Sequence, residues 1–155
     1  MRFVEKVTVE QIYSSVLKAR RVRNEAGWER MEPVVVAENP TASPVMNAIA
    51  RAMRERLFTS ERELANYLEA DLRHLNGALQ LLTGMGIRDF LVAYRARRGA
   101  ELLACTGLEI GEVAHACGYS LPNNFARVFA KQYKMSPSDY RWRHRPANYR
   151  DLYLY

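Results

Sequence analysis

One segment constrains the fold more than any other: Ile110–Tyr133, IGEVAHACGYSLPNNFARVFAKQY. Ile110, Val113, Ala114 and Cys117 recur at i, i+3, i+4 and i+7, which is one apolar helix face. Cys117-Gly118-Tyr119 then breaks the pattern, and Gly118 can take a positive φ without a Cβ clash. Beyond Ser120, the residues Leu121, Phe125, Val128, Phe129 and Tyr133 form a second inward face. Two short amphipathic helices around a tight turn make a helix-turn-helix unit. The same winding leaves Asn123, Asn124, Arg127 and Lys131 outside. Amide and guanidinium forks on that side suit base edges, and the apolar reverse side fixes the angle of the helix.

A weaker copy precedes it at Leu64–Thr83, LANYLEADLRHLNGALQLLT, offset by about 50 residues when caps and leucines are aligned. Arg73, His74, Asn76, Gly77 and Gln80 fall on its exposed side. Glu69 stands where the other unit has Gly118, and a non-glycine residue in a left-handed turn costs roughly 1 kcal/mol. Between the copies, 87–105 reads as a single helix of about 28 Å, close to the 34 Å of one B-DNA turn. Gly99 in its middle implies that another helix approaches closely.

Local signals divide the chain into an extension over 1–43, a helical body over 44–145 and a tail over 146–155. The body holds modules at about 44–86 and 106–145 around the connector 87–105. Ser43-Pro44 starts a helix running to about Leu57, Ser60 opens the next, and Asp71 caps the third. Gly84 stops the third as a left-handed cap, and Ser136-Pro137-Ser138-Asp139 opens the last. In the extension, Thr8 with Gln11 predicts a helix over 8–24, and Val34–Ala37 a short strand. The predicted class is all-α, with no sheet beyond that strand.

Charge is uneven. Residues 71–155 carry twelve Lys and Arg against seven Asp and Glu, whereas 1–70 carry eleven against ten. A basic half points to a polyanion, of which nucleic acid is the usual one, although a soluble protein can be basic without one. Nothing resembles a membrane span or a signal peptide, so a cytoplasmic protein with no membrane partner is expected. Two cysteines, Cys105 and Cys117, are too few for a disulfide scaffold and match no common zinc spacing.

The stretch RRGAELLACTGLEIGEVAHACGYSLPNNFARVFAKQYKMSPSDYR, Arg97 to Arg141, resembles the AraC/XylS family of bacterial transcription regulators. The Ile, Val-Ala, Cys-Gly-aromatic, Phe-x-x-x-Phe and Ser-Pro-x-x-Tyr-Arg positions keep the family register. The resemblance extends back through LANYLEADLRHLNGALQLLTGMGIRDFLVAYR and covers about 44–145, two-thirds of the chain. It implies a two-module domain that binds double-stranded DNA, with RNA polymerase as a second partner. Family base-contacting positions fall on Arg73, Asn76 and Gly77 in the first recognition helix. In the second they fall on Asn123, Ala126 and Arg127. Gly77 and Ala126 depart from the polar norm, and Lys134 stands where the family has glycine. The chain resembles the family's small stand-alone regulators, and no catalytic activity is implied. The repair methyltransferases of that circle need a four-cysteine zinc site and a further reactive cysteine, which two cysteines cannot supply.

The expected DNA-binding residues are therefore Arg73, His74, Asn76, Asn123, Asn124, Arg127 and Lys131, with no cofactor and no metal. A protein-interaction module, in which the first head has lost its DNA face, is the competing class. Arg95, Arg97 and Arg98 could meet phosphate or merely solvate the connector, and the same two readings apply to Arg141, Arg143 and Arg145. One chain with two heads is expected to occupy one site as a monomer. The stripe of Ile12, Tyr13 and Val16 is the surface through which two chains could instead pair.

Overall fold

The computed structural model describes residues 5–155. The chain divides into two units, one of residues 5–14 and 37–97, the other of 15–36 and 98–155. The N-terminal extension is thus shared between the units; its residues 1–4 lie outside the described residues.

The first unit is helical. Thr8 and Gln11 form a capping box: the Gln11 N–H donates to Thr8 Oγ1 at 3.3 Å, and the Thr8 N–H donates to Gln11 Oε1 at 2.8 Å. The helix they open, α1, spans only Val9–Ile12. It is followed by α2 (Pro44–Glu55), α3 (Glu61–Tyr67), α4 (Leu72–Thr83) and the first part of α5 (Ile87–Cys105). Ser43, Ser60 and Asp71 cap α2, α3 and α4 by accepting the N–H groups of Met46, Glu63 and His74. Gly84 closes α4 at φ 80°. Met46, Ile49 and Met53 of α2 pack with Leu64, Leu75, Leu79, Ile87, Phe90 and Tyr94 in one core, and Ile12 joins it.

The second unit holds the rest of α5, then α6 (Ile110–Ala116), α7 (Pro122–Tyr133), α8 (Pro137–His144) and α9 (Tyr149–Leu152). Its core gathers Leu102, Leu103, Val113, Ala114, Cys117, Phe125 and Phe129. Gly99 meets Phe125 here: a Cβ on Gly99 would lie 2.8 Å from the Phe125 Cζ, which explains a glycine in mid-helix. Cys117 is a buried core thiol and Cys105 is half-buried.

Arg141 has a role that the sequence left open. Its guanidinium donates to the carbonyls of Leu103 at 3.0 Å, Thr106 at 3.2 Å and Leu102 at 3.3 Å, and also to that of Leu108. These carbonyls close the end of α5 and the loop after it; that of Leu102 also accepts the Thr106 N–H and hydroxyl, and the helix's own ladder leaves that of Leu103 open. Arg145 donates to the Thr106 carbonyl at 3.0 Å. Burial and the neighbouring Arg145 charge both lower the pKa of Arg141.

The extension departs from its expected helix over 8–24. After Ile12 the backbone becomes extended at Tyr13, and the Ser14 N–H donates to Tyr94 Oη at 3.2 Å. Residues Ala19–Arg23 form β1 and Glu29–Pro33 form β2, joined by a turn with Gly27 at φ 86°. Tyr153–Leu154, β3, pairs with the other side of β1, giving the order β2-β1-β3 with both pairings antiparallel. The body is helical as expected, with a small sheet added. The strand expected at Val34–Ala37 lies a few residues earlier, because the turn at Asn24–Trp28 sets the register against β1. The expected stripe of Ile12, Tyr13 and Val16 is not one surface: Ile12 is buried in the first core, Tyr13 packs on Tyr94, and Val16 lies against the second core.

Candidate nucleic-acid interface

Both helix-turn-helix units close their turns with the same hydrogen bonds. In the first, the Ala70 N–H donates to the Ala65 carbonyl at 2.9 Å and the Glu69 N–H to that of Asn66 at 3.1 Å. In the second, the Tyr119 N–H donates to the Ala114 carbonyl at 3.0 Å and the Gly118 N–H to that of His115 at 2.9 Å. Glu69 takes φ 54° and Gly118 φ 85°, so both turns are left-handed despite the missing glycine in the first. The two turns share one hydrogen-bond pattern and one positive-φ position, which supports reading the chain as two copies of one motif.

In the second unit, α7 buries Phe125 and Phe129 and exposes Asn123, Arg127 and Lys131. Those three are spaced i, i+4, i+8 and form one stripe. The Arg127 Nη2 donates to the Asn124 Oδ1 at 3.3 Å, so half-buried Asn124 orients the guanidinium. No acidic residue lies on α7. Leu121, expected inside, is 59% exposed, because it is the N-cap residue and the helix starts one residue later at Pro122. Val128 is half-buried, and the aromatic stack of Phe125, Phe129 and Tyr133 carries the inner face.

In the first unit, α4 buries Leu75 and Leu79 and exposes Arg73, His74, Gly77 and Gln80. A surface concavity of about 750 Å³ opens at its N-terminus, lined by Glu61, Asp71, Leu72, Arg73, His74 and Asn76. His74 Nδ1 stands 3.7 Å from Asp71 Oδ1. Asn76 differs from the exposed residue expected. It is half-buried, and its Oδ1 accepts the N–H of Ile87 at 2.9 Å, satisfying an orphan donor at the start of α5. The fit is close: a Cβ on Gly86 would lie 2.9 Å from that oxygen. Around Gly77 there is open space.

The connector arginines also resolve. Arg97 donates from Nε to Glu10 Oε2 at 2.6 Å and from Nη2 to Oε1 at 3.2 Å, and stacks over Tyr13. Arg95 is buried. Among the described residues no helix is long and apolar enough to cross a membrane, and no group of three His, Cys, Asp or Glu side chains is placed to hold a metal ion.

Comparison with known proteins agrees with this geometry. A family model described as a helix-turn-helix domain matches residues 64–143. The HTH-type transcriptional activator RhaR of Mannheimia succiniciproducens is 39% identical over 61 residues, 39% of this chain and 22% of that protein. The uncharacterized HTH-type transcriptional regulator YijO of Escherichia coli K12 is 37% identical over 68 residues, 44% of this chain and 24% of that one. Among solved structures, the C-terminal domain of AraT, a response regulator from Geobacillus stearothermophilus, has TM-score 0.62 at 24% identity. That alignment covers 69% of this chain and 91% of the domain. The DNA-binding domain of the global transcriptional factor AdpA, solved with a target DNA, has TM-score 0.59 at 24% identity, covering 66% and 93%.

The fold and the paired turns define a two-unit helix-turn-helix protein. The chain belongs to the AraC-type family of helix-turn-helix transcription regulators. It spans about a quarter of the length of the curated relatives it matches.

Proposed function

We propose that the chain binds double-stranded DNA sequence-specifically and regulates transcription, with α4 and α7 as recognition helices for successive major grooves of one site. The observation that carries this reading is the face of α7: Asn123, Arg127 and Lys131 point outward, and Phe125 and Phe129 anchor the helix behind them. Arg127 would supply a fork for guanine O6 and N7, Asn123 an amide for adenine, and Lys131 a phosphate contact. On α4, Arg73 and His74 would meet phosphate or base. Gly77, standing where α7 has Arg127, offers no fork, so α7 does most of the base reading. Asn76 enters this reading through the corner it holds with Ile87. Family membership supports RNA polymerase as a second partner and the cytoplasm as the place of action, with one chain occupying one site.

The test is binding to fragments selected from genomic DNA, at one fixed salt concentration because each removed charge also changes counterion release. Arg127→Ala should weaken cognate binding by about 1–3 kcal/mol and blur preference at one or two base pairs. Arg73→Ala should weaken cognate and random DNA evenly. If Arg73→Ala abolishes preference while Arg127→Ala acts evenly, the heads have the reverse roles. Binding to no fragment at all would return the chain to the protein-interaction class.

A further inference from the structure

The hairpin of β1 and β2 is not used by the DNA-binding reading, and most of it is in solvent. Strand β2 is an edge: among the described residues no strand lies on its outer side. The ladder determines which groups that edge presents. The Asn24 N–H donates to the Trp28 carbonyl at 2.9 Å, and the Val34 N–H to that of Lys18 at 3.1 Å. Antiparallel pairs alternate between hydrogen-bonded and non-hydrogen-bonded. Trp28, Arg30, Glu32 and Val34 therefore turn their backbone groups toward β1, and Glu29, Met31 and Pro33 turn theirs outward.

We propose that this outer edge pairs antiparallel with the same edge of a second copy of the chain, about a two-fold axis at Met31. In that register Met31 exchanges two backbone hydrogen bonds with its counterpart. Each Glu29 N–H donates to the Pro33 carbonyl of the second copy. Pro33 has no N–H to donate, so the pairing stops there. The intervening residues sit in non-hydrogen-bonded pairs, where side chains approach most closely. Arg30 then faces Glu32 of the second copy, and Trp28 faces Val34. Read along the strand, Trp28, Arg30, Glu32 and Val34 are self-complementary: aromatic, positive, negative, aliphatic.

Charge selects the register. Sliding the two-fold by one position brings Arg30 against Arg30 of the second copy, or Glu32 against Glu32. In the single chain Arg30 and Glu32 pair with each other at 2.6 Å on an exposed surface, an arrangement cheap to exchange for the cross-strand one. Trp28 is 76% exposed, which leaves a large apolar surface for the partner to cover. The chemistry of the edge thus fits one occupant, this same strand.

Sedimentation of the full chain without DNA tests the pairing. The wild type should show a concentration-dependent dimer. Met31→Pro removes an outward N–H, leaves the ladder with β1 intact, and should raise the dimer dissociation constant about tenfold or more. Arg30→Glu and Glu32→Arg should each abolish self-pairing, because each sets like charges opposite one another. Mixed in equal amounts, those two variants should form a heterodimer, and that result does not depend on how well Met31→Pro folds. A wild-type chain that stays monomeric up to its solubility limit overturns the proposal. So does a dimer unaffected by the charge variants, or a mixture that forms no heterodimer.

Discussion

Phe125 occupies the space that a side chain on Gly99 would need, with its Cζ 2.8 Å from where a Cβ would stand. Phe125 is the first buried residue of α7, so this contact sets how the recognition helix sits on the C-terminal part of α5 within its unit. Helix propensity alone favours Gly99→Ala by about 1 kcal/mol. Overpacking a buried ring costs about 1–3 kcal/mol and acts the other way. Gly99→Ala is expected to destabilise in urea titration, and adding Phe125→Leu to restore it partly. Gly77→Ala is the control: its surroundings are open, so it should stabilise by about the propensity difference.

Asn76→Ala is expected to cost about 1–3 kcal/mol, because the Ile87 N–H at the start of α5 loses its acceptor. Asn76→Asp keeps an acceptor and places a negative charge at a helix N-terminus, and should retain stability. Chemical denaturation of the three proteins checks both outcomes. Equal loss in both variants would mean that the bond is not what stabilises the corner.

Lys134 ends α7 at φ 62°, and Glu69 turns between α3 and α4 at φ 54°. Neither side chain relieves the left-handed backbone. Lys134→Gly and Glu69→Gly should each raise stability by about 1 kcal/mol, read as a higher denaturation midpoint with unchanged slope. Their effects should add, since they lie in different units.

The pH dependence of the first unit follows from Glu10. The hydrogen bonds from Arg97 hold its carboxyl below the ordinary range; partial burial opposes them and the Arg97 charge adds to them. A depressed folded-state value means that the pair's contribution is complete above the unfolded value. It fades as pH falls through the folded one, below about pH 4.3. Glu10→Gln should therefore flatten the loss of stability in that acid window. The effect will be small, because the carboxylate is largely in solvent. Thermal melts across that range check it.

Much of the body could be read locally. The start of α5 follows from the Gly84-Met85-Gly86 break before it, and the starts of α2, α3, α4 and α8 from Ser43, Ser60, Asp71 and Ser136, because a cap acts on donors within three residues. The outward stripe of α7 follows from the spacing of Phe125 and Phe129 alone. The extension could not be read that way. Its arginines and alanine suit a helix as well as a strand. What decides between them is distant: the hydroxyl of Tyr94, the strand at Glu29–Pro33 and the end of the chain at Tyr153–Leu154. Asn76 and Arg141 make the same point for polar groups. Sequence spacing put both on candidate surfaces, but orphan backbone groups at the two ends of α5 take up the Asn76 oxygen and the Arg141 guanidinium. Periodicity tells which way a side chain leaves its own helix. Whether that side chain meets solvent or an unsatisfied peptide group depends on what the rest of the chain brings beside it.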